Sequence, residues 1–512
     1  MSGAPVLVIG AGIGGLTSAI ALAARGIDVM VIERAAQPGG KMREVQVAGR
    51  AMDAGPTVFT MRWVFEELFA DAGAKLSEQL SLHPVPTLAR HAWNADATLD
   101  LHADIERSVD AIARFAGPDE GRRYRSFCKR AAGIRDTLET PFLRGSRPTP
   151  WSLTARVGLR GLPGLARISP FATLWSSLGA YFRDPRLRQL FGRYATYCGS
   201  SPYLAPATLM LVAHVEREGV WRVEGGMQRI ATALAALATR LGVRFRFDTP
   251  VQEIVIRDDR ARGVRLASGE TLAADAVVFN GDVAALAQGL LGGGVARAVA
   301  PMHRAQPSLS AITWNVVART SGFPLLHHSV FFGSDCASEF DAIFDHGHPP
   351  TDPTVYVCAQ DRGGPDAAPI DGAERLLCLI NAPAAAAITP EELDRCEQHM
   401  LQRLARCGLT LDTGSSAMVR TTPQDFARMF PGSAGALYGR ASHGWMASFR
   451  RPGARSRIRG LYLAGGTTHP GPGVPMAALS GRQAAQSLLE DRGRASMPWS
   501  RPVAMPGGIS TR

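Results

Sequence analysis

An α/β fold is predicted by three observations. A short apolar run, Val6–Ile9, passes directly into the Gly-x-Gly-x-x-Gly loop of residues 10–15 and then an alanine-rich helical pattern. A second apolar run, Val29–Ile32, follows and ends on Glu33. Near the other end of the 512-residue chain, a further apolar run meets a second glycine loop and another alanine-rich helical pattern. Strand, glycine turn, helix and strand within about 30 residues make the pattern of a Rossmann-like dinucleotide site. Its partial return near residue 460 predicts that the domain is discontinuous.

The elements follow in order. Val6–Ile9 is uncharged, as a strand covered on both faces requires. Gly10 allows the tight turn, Gly12 lets backbone approach a pyrophosphate, and Gly15 lets helix pack on strand, with Ile13 and Gly14 completing the loop. The helix is predicted over 16–25, with Gly26 ending it, and its free N–H groups and dipole favour phosphate. Glu33, followed by Arg34, stands where a carboxylate accepts from the adenosine ribose hydroxyls. An acid there disfavours the 2′-phosphate of NADP. Pro38-Gly39-Gly40-Lys41-Met42-Arg43 adds two glycines for a second backbone approach and two cations, and Asp53-Ala54-Gly55-Pro56-Thr57 follows. The late element reads as a strand over 460–464, a loop carrying Gly465, Gly466, Val474, Pro475 and Met476, and a helix over 477–490. That helix N-terminus would face the flavin pyrimidine ring, where negative charge develops on reduction. These additions point to FAD rather than NAD, bound by Gly10, Gly12, Ile13, Gly14, Gly15, Glu33, Arg34, Gly40, Lys41, Gly55, Pro56, Thr57, Gly465, Gly466, Val474, Pro475 and Met476.

Composition narrows the class. Apolar residues at 46% and charged residues at 20% exclude a disordered or fibrous chain. The net charge is +11, and 53 of the 56 basic residues are arginine. Such a surplus suits nucleic acid, an anionic membrane or an anionic ligand, and codon bias also produces it. Seven cysteines without a CxxC pair argue against a disulfide framework or structural zinc and suit a reducing compartment. His327–His328 and the Asp345–His348 cluster lack metal-ligand spacing, so no metal is expected. Residues 1–24 carry no charged side chain, but glycines interrupt them and no basic segment precedes them. The protein reads as non-spanning and cytoplasmic.

The motifs place a discontinuous flavin domain at 1–75, 220–290 and 455–490. Two insertions, 76–219 and 291–454, would build an α+β substrate-binding domain, and 491–512 reads as a flexible tail. Between Pro141 and Leu190 there are eight arginines and one acid, interleaved with Phe142, Trp151, Phe171, Trp175 and Phe182. That mixture suits peripheral contact with an anionic membrane, and a solvated helical hairpin is the plainer reading. No nucleic-acid recognition fold accompanies it. Arg440 to Arg459 forms a second basic run, of six arginines and no acid, read as a charged surface hairpin.

Together, Gly39-Gly40-Lys41-Met42-Arg43, Asp53–Thr57 and the loop Ala464-Gly465-Gly466-Thr467-Thr468-His469-Pro470-Gly471-Pro472-Gly473 resemble the bacterial carotenoid (phytoene-type) desaturases. These belong to the amine-oxidase-like flavoproteins. The resemblance runs from about Val6 to Leu489 and departs from the family pattern at Thr467 and Pro472. Gly55–Arg62, Leu190–Tyr197, Phe279–Asp282 and Gly473–Met476 resemble the branch acting on 1-hydroxycarotenoids. The resemblance implies FAD, an acyclic C40 substrate with a tertiary hydroxyl near one end, and insertion of a C3–C4 double bond. It also implies that Val251 offers backbone to the adenine, within an alternating run over 243–251 that reads as one strand, with 274–280 as the strand returning to the flavin sheet.

A flavin suits the reaction because an unactivated C–H needs a hydride acceptor. A base is expected nearby. His469, in the flavin loop and titratable near neutrality, is the candidate, or else it fixes loop carbonyls. Arg193 and Tyr197 are candidates to line the tunnel or polarise the substrate hydroxyl, or they pack the core. On the catalytic reading, His469→Ala keeps the flavin and loses most turnover. The alternatives are a desaturase of non-hydroxylated carotenes, a flavin oxidase of amines or porphyrinogens, and a prenyl-lipid escort without redox chemistry. The electron acceptor is left open.

Overall fold

The computed structural model describes residues 4–169, 171–302, 305–363, 372–412 and 418–493. The backbone alone is described at 159–163 and 165–167. Most of the expected tail, 494–512, lies outside the described residues.

Five parallel strands form the first sheet, in the order Leu461–Leu463, Ala276–Phe279, Val6–Ile9, Val29–Ile32, Arg244–Arg246. Its central strand is buried along its whole length because both faces are covered. On one face lie the helices Ile13–Ala23, Gln228–Arg240 and Val474–Asp491, sharing an apolar core with that strand. The other face packs against the antiparallel sheet Val251–Arg257, Arg260–Leu266 and Thr271–Ala273.

The second large sheet has eight strands. Its long strand Ser310–Gly322 is flanked by Glu374–Ala382, Leu409–Asp412 and Met418–Thr421, and Val355–Ala359 and His328–Phe331 follow Glu374–Ala382. Two strands from far earlier in the chain, Thr87–Ala92 and Thr98–His102, complete it. Helices between Ile105 and Glu218 form a separate layer over this end, around a core that includes Phe127, Phe182, Phe191 and Leu190. Phe182 and Phe191 stack with centroids 4.8 Å apart.

Three boundaries differ from the sequence reading. The first helix begins at Ile13, so Gly14 and Gly15 lie in its first turn. The last begins at Val474, with Pro475 in the first turn, where a missing N–H costs nothing. The run 243–251 is two strands in two sheets: Arg244–Arg246 extends the parallel sheet, and the chain turns through Asp248, at φ 50°, and Pro250 before Val251 starts the antiparallel one. Alternation alone does not reveal a break made by an aspartate turn and a proline.

Candidate active site

One cavity of about 1420 Å³ runs from the carboxyl ends of the parallel strands, across the late glycine loop, to the helical layer. Every predicted cofactor residue lines it except Gly15. Gly15 does what the spacing demanded of it, since a Cβ there would stand 2.0 Å from the Gly10 carbonyl oxygen. Gly10 leaves the strand at φ 99°, a region closed to most side chains.

Two helices open on this cavity without a side-chain cap, at Gly12 and Gly473, so their first N–H groups stay available to a ligand. Glu33 is buried on the cavity wall, where the N–H groups of Ala11 and Ala35 donate to its two carboxylate oxygens at 2.6 and 2.8 Å. The acid is thereby fixed at the end of its strand with lone pairs to spare for ribose hydroxyls. Lys41 donates to the Leu437 carbonyl at 2.5 Å, and burial lowers its pKa. Asp282, which borders the same cavity, caps the short helix Val283–Ala287 through Oδ1, while its buried Oδ2 has no hydrogen-bond partner. Burial raises its pKa, against the pull of Lys41 and Arg451. A glycine-lined cleft, two uncapped helix starts, an acid at the strand end and an orphaned carboxylate oxygen fit a flavin dinucleotide.

Several residues named in the motifs support the site through contacts that the sequence does not show. Asp53 accepts from the N–H groups of Met227 and Gln228 at 2.7 and 3.2 Å, which anchors the helix Gln228–Arg240. Its own carbonyl accepts from Asn315 and Gln360, both at 2.9 Å, tying the Gly55–Thr57 turn to the eight-stranded sheet. Asn280 sits between the two glycine loops and donates to Gly10 at 3.3 Å. Thr467, the departure from the family pattern, accepts from the Val283 N–H at 3.2 Å and stitches the late loop to Asp282. Each contact joins segments more than 100 residues apart, so no local signal reveals it.

The second basic run is largely structural. Arg451 is buried and donates to the carbonyls of Tyr438 and Arg440 at 3.1 and 2.9 Å, while Arg455 pairs with Glu490 and Asp491. The first is used in a similar way. Arg144 pairs with Glu67 and lies over the Trp63 ring, Arg156 holds the carbonyls of Pro141 and Ser146, and Arg186 pairs with Asp184. Two of the five Phe and Trp side chains in that run are exposed, as are several of its arginines. Trp151 is 87% exposed and Phe171 77%, and Phe171 packs edge-on against Trp445 at the cavity wall.

His469 does not do what the loop position suggested. It is buried, it is not among the residues lining the cavity, and its Nε2 lies 2.9 and 3.1 Å from the carbonyls of Phe142 and Gly145. Burial lowers its pKa to about 4. A neutral ring donating to loop carbonyls is a brace, and the expectation of a base at His469 is withdrawn.

Arg193 and Tyr197 do face the cavity, on the turn Arg193–Cys198. The guanidinium carbon lies 5.6 Å from the ring centres of both Tyr197 and Tyr356. Glu216, from the helix Leu211–Glu218, lines the same wall, and Tyr194 donates to it at 2.6 Å. Burial raises the pKa of Glu216, opposed by the tyrosine hydrogen bonds and by Arg193. Tyr356 joins the cluster to the turn after Gly55, since its hydroxyl lies 2.7 Å from both Thr57 Oγ1 and His328 Nδ1. The ligand atoms of His327, His328 and Cys358 lie within 4.8 Å of one another. Cys358 stands directly across the strand pair from His328, and both rings are engaged through Nδ1, His327 with the Arg362 carbonyl.

The model of the flavin containing amine oxidoreductases matches residues 13–489. The chain is 56% identical to the hydroxyneurosporene desaturase of Rubrivivax gelatinosus, over 99% of this chain and 97% of that one. It is 47% identical to the hydroxyneurosporene desaturase of Cereibacter sphaeroides, over 95% of this chain and 97% of that one. Among solved structures, cyclohexylamine oxidase from Brevibacterium oxydans shares the fold, with a TM-score of 0.57 at 18% identity over 96% of this chain and 100% of that one. Family model, full-length relatives and fold agree with the glycine-lined cleft, and the chain belongs to the flavin-containing amine oxidoreductases, within their carotenoid desaturase family.

Proposed function

We propose that this chain is an FAD-dependent desaturase that introduces the C3–C4 double bond into a 1-hydroxylated acyclic C40 carotenoid such as 1-hydroxyneurosporene. One observation carries the reading: a single cavity joins a dinucleotide cleft to a long apolar limb. Its volume of about 1420 Å³ exceeds the roughly 300–1,000 Å³ of an ordinary small-molecule pocket. A cofactor and a long polyene would share it.

In this reading the flavin domain comprises 1–75, 220–290 and 455–490, and the substrate domain 76–219 and 291–454. The predicted glycines other than Gly15, together with Ile13, Glu33, Arg34, Lys41, Pro56, Thr57, Val251, Val474, Pro475 and Met476, hold FAD, which supplies the hydride acceptor when bound. The protein's own work is placement. Leu138, Leu153, Leu209 and Val215 give the polyene a dry wall that binds by area. Arg193 and Tyr197 meet its polar end. C4 is allylic, so the polyene delocalises the positive charge left when a hydride passes from C4 to the bound FAD, and loss of the C3 proton completes the double bond. The enzyme works at the cytoplasmic surface of an anionic membrane. No helix among the described residues is long and apolar enough to cross a membrane, and exposed Trp151 and Phe171 suit an interfacial contact.

Anaerobic mixing with 1-hydroxyneurosporene tests the function. Bleaching of the flavin together with a red shift of the carotenoid is the expected outcome. Bleaching by amines, with none by the carotenoid, would replace this reading with an amine oxidase.

A further inference from the structure

We infer that Arg193 and Glu216 form the subsite for the substrate's tertiary hydroxyl and set the preference for hydroxylated over plain polyenes, an inference that rests on the function proposed above. A polyene of this class carries one polar group, so selectivity between the two can come only from where that group lands. Beyond the glycine loops, the helical side of the cavity wall is largely apolar, and the Arg193–Glu216 region interrupts it with charge. Glu216 is only 8% exposed and receives a hydrogen bond from Tyr194 on Oε2. Arg193 lies against two tyrosine rings, and Tyr197 and Glu216 both favour its charged form.

A carboxylate in an apolar wall is costly to keep out of water, while Tyr197 and Glu216 hold the Arg193 guanidinium in its charged form. Carboxylate and guanidinium together are complementary to an alcohol, which is at once a donor and an acceptor. Arg193 donates to the hydroxyl oxygen, and Glu216 accepts the hydroxyl hydrogen. The location fits the reacting bond. The carbinol carbon is two bonds from C3, and the Arg193 cluster reaches the cofactor-side turn within two contacts, through Tyr356 to Thr57. A substrate anchored here by its hydroxyl therefore carries its C3–C4 bond to the edge of the cofactor cleft. The same anchor gives a plain polyene nothing, so the hydroxylated substrate gains hydrogen bonds that the plain one lacks.

The test measures binding of 1-hydroxyneurosporene and of neurosporene to the flavin-loaded protein by quenching of tryptophan fluorescence, for the wild type, Arg193→Met and Glu216→Gln. Retained flavin absorbance reports that each variant is folded. The wild type is expected to favour the hydroxylated polyene by about tenfold or more, and each variant to lose about tenfold for that polyene alone. Equal wild-type affinities would overturn the subsite and leave the desaturase reading standing. A parallel loss for both polyenes would assign the cluster to packing. Wild-type protein that binds neither polyene would overturn the proposed function itself, and the subsite with it.

Discussion

At the end of the cavity assigned to the cofactor the wall is mostly backbone: glycine loops, two helix starts and a strand-end acid, drawn largely from residues 9–57 and 465–477. At the end assigned to the polyene the wall is side chains, contributed by segments as separate as Leu138, Leu209 and Tyr356. The first end recognises a charged, oriented ligand, so its geometry tolerates little change and is written in glycines. The second binds area, and many apolar sets of similar volume serve equally. The hydroxyl subsite is the exception there, a fixed polar feature in a permissive wall.

The largest effect should come from the rigid end. Gly15→Val places a Cβ where the Gly10 carbonyl stands, 2.0 Å away, and the purified protein should lose nearly all its flavin colour. Gly133→Ala is the control. It is an exposed helical position with nothing within 4 Å of the added carbon, and it should raise stability by about 1 kcal/mol. A yellow, active Gly15→Val protein would show that backbone approach at this turn is not what holds the cofactor.

His469 ties the late glycine loop to the Phe142 and Gly145 carbonyls of the helical layer. His469→Ala should keep turnover within about threefold and cost on the order of 1–3 kcal/mol, since a buried loop carbonyl loses its donor. The pH dependence has a definite sign. With its folded pKa at about 4, below the ordinary 6.5, the unfolded chain takes up the proton first. The contribution of this histidine is therefore present above about pH 6.5 and is lost as the pH falls toward 4. Thermal melts from pH 7 to 5 should drop less for His469→Gln than for the wild type. Loss of turnover with unchanged melting would return His469 to the chemistry.

The smallest effect concerns the outer rim. Trp151→Ser with Phe171→Ser should reduce sedimentation with anionic liposomes at low salt several-fold and leave flavin content unchanged. Replacing Arg144 and Arg186 should lower stability more than liposome binding, because both are committed to carboxylates within the protein. Equal partitioning of wild type and rim variant would remove the aromatic contact.

Much of the cofactor site was legible because a βαβ turn is a local object. The glycines, strand and acid that shape it lie within one stretch of chain, and spacing alone states their roles. Asp53 and Asn280 were not legible as supports, since their work consists of contacts to Met227 and Gly10 made by folding. His469 misled for a related reason. Its place in the loop suggested chemistry, but the ring's direction is set by the carbonyls of Phe142 and Gly145, more than 300 residues away. The arginine surplus is used differently from place to place: Arg451 braces the Tyr438 and Arg440 carbonyls at the cavity edge, and Arg193 lies against the Tyr197 and Tyr356 rings.

The sequence by itself determined the α/β class, the flavin and the family, because backbone geometry around a phosphate demands particular residues at particular spacings. Only the tertiary structure decided which titratable groups meet the cavity. Side-chain direction and burial depend on packing between distant segments, and that packing places Glu216 and Arg193 on one cavity wall and turns His469 away.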